Sequence, residues 1–268
     1  MRYVRSFLLM LCIFQVMLAA AFILQLRFVV QLWPLPYTNQ MSFLFVGSIV
    51  MAAAASTFWC VASREYGALT GIALDYLAIF TPLAVFAFQL ASATRSEVLR
   101  NFFIACVLGI LFGLGLWLWS RRIPIRDTRP LPRLVRVSFG VFILALILVG
   151  GLLIFKVPNI LPWEITGSGS VIYGWAFLGA ALYFAYSLFR PSWHNAVGQL
   201  AGFLAYDLVL IVPFILMLPT VKTEFRLSLI IYTGVVIYSG VLATYYLFLN
   251  PKTRVIRSRS LVLQLSED

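Results

Sequence analysis

Apolar runs close to 20 residues long alternate with short polar breaks along the whole chain. They fall at roughly 7–30, 41–62, 67–90, 101–120, 137–155, 171–189, 196–219 and 227–249. At ~1.5 Å of rise per residue, each run reaches across a ~30 Å hydrocarbon core as a helix. The pattern predicts an all-α integral membrane protein with about eight transmembrane helices. The first run has a signal-peptide layout, with Arg2 and Arg5 before it and Ala19-Ala20-Ala21 inside it. Its apolar character continues past the alanines to Leu26, so it reads as an uncleaved anchor.

The breaks divide the chain in two. The stretch at 120–136, SRRIPIRDTRPLPRLVR, carries Pro124, Pro130 and Pro132 among arginines, which disfavours helix and keeps it at the membrane surface. Residues 1–120 and 137–250 flank this 121–136 linker as two four-helix units, followed by a tail at 251–268. The units match in order. LWPLPYT (32–38) precedes span two and ILPWEIT (160–166) precedes span six. Span three opens GALTG at 67–71 and span seven opens GQLAG at 198–202, a shift of 131 that also carries Pro82 onto Pro213. The next loops read RSEVLR (95–100) and KTEFR (222–226). Four spans per copy preserve orientation, so the expected architecture is two parallel tandem repeats about an axis along the membrane normal.

Charge orients this arrangement. Fourteen of the 20 Lys and Arg fall on one side, among them Arg64, Arg121, Arg122, Arg126, Arg129, Arg190 and Arg257; the other side has Arg27, Arg95, Arg100, Lys156, Lys222 and Arg226. The positive-inside rule then places both termini and the linker in the cytoplasm, and the protein in the plasma membrane. The chain is 62% hydrophobic and 11% charged, with mean hydropathy +0.98, too apolar to cover a water-soluble particle. The net charge of +11 sits at helix ends and in short loops. It points to anionic lipid headgroups at the 121–136 loop as partners and not to nucleic acid.

Candidate chemistry is sparse. Asp75 and Asp207 lie inside spans three and seven, where an ionisable group is expensive and faces protein or water. The shift of 131 sets Asp75-Tyr76 against Tyr206-Asp207, so the acids are one position, ~100°, out of register. These four residues form the candidate intramembrane polar site, for a proton or cation. Gly67, Gly71, Gly198 and Gly202 allow close helix approach, as do Gly109 and Gly113, while Pro82 and Pro213 mark hinges or kinks. Glu164, beside Trp163, is a weaker substrate-site candidate. Cys12, Cys60 and Cys106 read as buried thiols.

The single histidine, His194, rules out bis-histidine haem ligation within the chain. No zinc spacing, P-loop, dinucleotide glycine motif or nucleophile elbow is present. No cofactor is expected, and a lipid-modifying activity is the enzymatic reading least excluded. Two functions remain: a small-solute or ion transporter or channel with a path between the repeats, or a non-transporting accessory subunit or lipid- or pigment-binding module. Other membrane subunits or a second copy of the chain are possible partners.

Overall fold

The computed structural model describes residues 2–36, 38–127 and 129–255; most of the expected tail lies outside them. Among the described residues, nine α-helices form: α1 (Arg2–Ile23), α2 (Arg27–Leu32), α3 (Gln40–Ala62), α4 (Leu69–Thr94), α5 (Glu97–Ser120), α6 (Arg133–Ile154), α7 (Gly167–Phe189), α8 (Trp193–Met217) and α9 (Thr223–Thr244). A 3-10 turn at Tyr66–Ala68 leads into α4, and a π-turn at Tyr245–Leu249 extends α9. All but the short α2 are long and apolar enough to cross a membrane, eight in all. The protein is a multi-pass membrane protein.

The first span differs from expectation. Apolar residues continue to position 30, yet α1 stops at Ile23. Gln25 turns left-handed at φ 51° and the Leu26 N–H closes on the Ala21 carbonyl at 3.0 Å, a Schellman-type end. The apolar residues beyond it form α2, whose Val29 is buried while Phe28 and Leu32 are exposed. Lys156 ends α6 the same way, with φ 58° and Val157 N–H bonded to the Leu152 carbonyl at 3.0 Å. Helices α5 and α7 start about a turn before their apolar runs, and α3 one residue before its own, where side chains cap them. The Asn39, Ser96 and Thr166 side chains accept from the Ser42, Leu99 and Gly169 amides at the starts of α3, α5 and α7.

Four hairpins organise the bundle: α1 with α3, α4 with α5, α6 with α7, and α8 with α9. Two further contacts, α3 with α8 and α4 with α7, join residues before the linker to residues after it. Helices α3, α4, α7 and α8 are thus central and the other four flank them. Helix α7 is the most enclosed, with 56% of its most apolar stretch buried, and α5 the least, with 17%. The flanking helices turn Met10, Phe14, Leu108, Leu144, Leu148, Ile230 and Ile231 outward, the surface a lipid-embedded bundle presents.

The two proline-tryptophan loops meet at the end of the bundle opposite the linker. Trp163 Nε1 donates to Ser42 Oγ at 3.0 Å, Asn39 Nδ2 donates to the Glu164 carbonyl at 2.7 Å, and Trp33 Nε1 donates to Thr38 Oγ1 at 2.9 Å. Beneath them Phe45 packs edge-on to Tyr173 and stacked on Phe177.

Candidate functional site

Small residues decide how the central helices approach. A Cβ at Gly71 would lie 2.8 Å from the Tyr183 ring, and one at Gly198 would lie 2.8 Å from the Tyr183 hydroxyl. One tyrosine of α7 thus lies across α4 and ends at α8. At Gly202 a Cβ would lie 2.5 Å from Ser56 Oγ, whose hydroxyl donates to the Gly198 carbonyl at 2.8 Å. Gly71, Gly198 and Gly202 therefore serve contacts between the halves. Gly67 meets the linker at Ile123, whereas Gly109 and Gly113 let α5 close on Phe80 and Leu77 of α4. Pro82 and Pro213 lie inside α4 and α8.

Asp75 points from α4 toward α7. A Cβ at Gly179 would fall 2.5 Å from Asp75 Oδ1, and that oxygen is buried with no hydrogen-bond partner. Tyr76, one position on, turns to the other side: its hydroxyl accepts from Gln15 Nε2 at 2.6 Å and its ring packs near Phe112 of α5. Asp207 points from α8 toward α9, where a Cβ at Gly240 would lie 3.4 Å from Oδ2. The residue is 4% exposed and neither carboxylate oxygen has a partner. Tyr206 bonds the Tyr232 hydroxyl at 2.8 Å and packs near Phe45 of α3.

The four polar candidates are thus divided between two places, with no hydrogen bond joining Asp75 to Asp207. Gln15 Oε1, Thr57 Oγ1 and the Tyr183 hydroxyl, on α1, α3 and α7, are also buried without partners. Buried polar groups normally find partners, and an unpaired charge at that depth is costly. A carboxylate so placed can take up a proton, a cation or a water molecule. Gly179, which makes room for the Asp75 carboxylate, and Gly240, which faces Asp207, carry no signal in the sequence beyond their small size.

Two cavities lie elsewhere. An apolar groove of about 220 Å³ runs beside α8, lined by Trp59, Ala201, Leu204, Ala205 and Phe248 among others. A polar pocket of about 10 Å³ lies between the tryptophan loops, lined by Thr38, Ser42, Glu164, Thr166 and Tyr173; it has room for about one water. Glu164 pairs with Lys222, both side chains about two-thirds exposed. The hydrogen bond to Glu164, then that carboxylate's charge, holds Lys222 above its ordinary pKa. Exposed pairs of this kind contribute little to stability.

A polar network that the sequence did not reveal sits at the linker end. Glu65, just before α4, is 3% exposed. Its Oε2 accepts from the Arg126 amide at 2.9 Å and its Oε1 lies 3.2 Å from His194 Nδ1. The other ring nitrogen, Nε2, lies 3.0 Å from Asp127 Oδ2, and Arg129 Nη2 pairs with that same oxygen at 2.7 Å. Burial acts to raise the Asp127 pKa. The hydrogen bonds from Arg129, with the charges of His194 and Arg129, outweigh it and hold the carboxyl below its ordinary value. Because the two histidine nitrogens point in opposite directions, the group does not converge on one metal position.

Family models, curated proteins and solved structures contain no match to this chain. Function rests on the geometry alone.

Proposed function

We propose that this protein is a transporter or channel for a small cation or solute, and that Asp75 and Asp207 are its ion-handling groups. The observation that carries the reading is the burial, without a hydrogen-bond partner, of Asp75 Oδ1 and of both Asp207 carboxylate oxygens inside a membrane-spanning bundle. Aspartates retained only for packing would be expected to hold hydrogen bonds from neighbouring side chains.

The path is proposed to run between two parallel repeats. Pairing α1 with α6, α3 with α7, α4 with α8 and α5 with α9 maps each helix contact onto another: α1–α3 onto α6–α7, α4–α5 onto α8–α9, and α3–α8 onto α7–α4. The left-handed helix ends at Gln25 and Lys156 are 131 residues apart, the same shift that relates the glycines and prolines of α4 and α8. The shift also accounts for side-chain direction. Asp75 and the Tyr206 ring turn toward α7 and α3 of the other half, while the Tyr206 hydroxyl reaches Tyr232 of α9 in its own half. Tyr76 and Asp207 turn toward α5 and α9 of their own half. The two acids are therefore inequivalent stations and not a symmetric pair.

In this reading both termini and the linker are cytoplasmic, the linker lies on anionic headgroups of the plasma membrane, and the chain performs no covalent catalysis. A second reading, a non-transporting accessory subunit or lipid-binding module, is favoured by one observation: neither cavity touches Asp75 or Asp207. Cation and proton flux through the purified protein in liposomes separates the two. Flux that needs either aspartate supports transport, and its absence supports the accessory module.

A further inference from the structure

The linker between the halves is not left free on the surface. It is held to the turn before α4 by the Arg126 N–H···Glu65 bond. A short antiparallel bridge holds it to the start of α8, where Trp193 N–H donates to the Arg129 carbonyl at 2.7 Å and Leu131 N–H to the Pro191 carbonyl at 3.2 Å. The turn after α9 joins the same group. Arg129 Nη1 donates to the Lys252 carbonyl at 3.1 Å, and Trp193 Nε1 donates to the Thr253 carbonyl at 3.1 Å. His194 is at the centre, its side chain 22% exposed, with carboxylates at both ring nitrogens.

A carboxylate only accepts, so satisfying both contacts requires both nitrogens to donate, which only the doubly protonated ring can do. With that ring, Glu65, Asp127, Arg129 and His194 balance to zero charge. When the ring is neutral at Nε2, that nitrogen turns its lone pair toward Asp127 Oδ2 and can accept only from Arg129 Nη2, at a longer 3.4 Å, and the group carries one net negative charge. The charged groups facing the ring are Glu65 from the α3–α4 turn and Asp127 and Arg129 from the linker. From α3, Trp59 lies edge-on at 5.9 Å, and the turn after α9 reaches the group through backbone carbonyls.

We propose that His194 is a proton-dependent clasp that fastens the inter-half linker and the turn after α9 to the membrane-spanning helices. It is closed while the imidazole carries two protons and weakened when it loses one. This does not depend on whether the protein transports anything.

Hydrogen exchange of the full-length protein in nanodiscs, corrected for intrinsic exchange and followed from about pH 5 to about pH 9, spans the ordinary titration of histidine. The amides of Arg126, Leu131 and Trp193 are expected to lose about tenfold in protection as pH rises, the scale of one charge-assisted hydrogen bond. In His194→Gln the protection is expected to be lower at acid pH and flat across the range. In Asp127→Asn, which removes one of the two carboxylate acceptors at the ring, the change in protection across the range is expected to be smaller than in the wild type. Protection in the wild type that is the same at both ends of the range overturns the clasp. So does an unchanged pH response in both variants.

Discussion

Asp75 of α4 faces Gly179 of α7 so closely that a single methyl at position 179 would fall 2.5 Å from its Oδ1. The glycine is what lets a carboxylate enter the contact between the halves. Gly179→Ala also meets Ile79, so it forces both side chains to move, at a cost of about 1–3 kcal/mol. Higher helix propensity returns about 1 kcal/mol of that. Gly240→Ala, opposite Asp207, finds ordinary contact at 3.4 Å and is expected to be neutral or stabilising. Thermal unfolding of the two purified variants in one detergent gives the comparison, and Asp75→Ala is expected to recover part of the Gly179→Ala loss.

Tyr183 offers a sharper separation of ring from hydroxyl. Its ring fills the notch at Gly71, while its buried hydroxyl has no partner. Tyr183→Ala is expected to cost about 3–5 kcal/mol through the cavity it leaves. Tyr183→Phe removes an unsatisfied group and is expected to be neutral or stabilising. Tyr76→Phe, by contrast, breaks the bond from Gln15 and is expected to lose about 1 kcal/mol or more, because the Gln15 amide is left without its acceptor. Denaturation midpoints of the three variants rank them.

At the opposite end of the bundle, Trp163→Phe keeps an aromatic ring but loses the donor to Ser42 and the packing of the indole's second ring. The hydrogen bond alone is worth about 0.5–1.5 kcal/mol, the smaller ring adds to the loss, and faster exchange of the amides in the 160–166 loop is expected with it.

The linker has an acid limit as well. Asp127 sits below its ordinary pKa in the folded protein. Its contribution is present above the ordinary carboxylate value of about 3.9 and is lost as pH falls through the lowered folded value. Linker amides are therefore expected to lose protection again under strongly acid conditions. In Asp127→Asn that acid loss is expected to shrink, because the remaining partners of the clasp no longer depend on this proton.

The eight spans were legible because bilayer thickness imposes a length that hydropathy records directly. The helix ends were not. The reversal at Gln25 occurs inside an unbroken apolar run, and the early starts of α5 and α7 depend on Ser96 and Thr166 as caps. Asp75 and Asp207 stood out because charge is rare at that depth, and their one-residue offset anticipated that they face different neighbours. Glu65 gave no such signal. It lies in a polar turn, and the linker and the start of α8 fold against it from distant parts of the chain.

The most direct test is flux of protons and monovalent cations through liposomes holding the wild type, Asp75→Asn, Asp207→Asn or both, with each variant first shown to be folded. Transport through Asp75 and Asp207 predicts measurable flux in the wild type and a drop of at least about tenfold in either single variant, a loss of ~1.4 kcal/mol or more. Flux that is unchanged in the double variant, or absent from the folded wild type under every gradient applied, contradicts it.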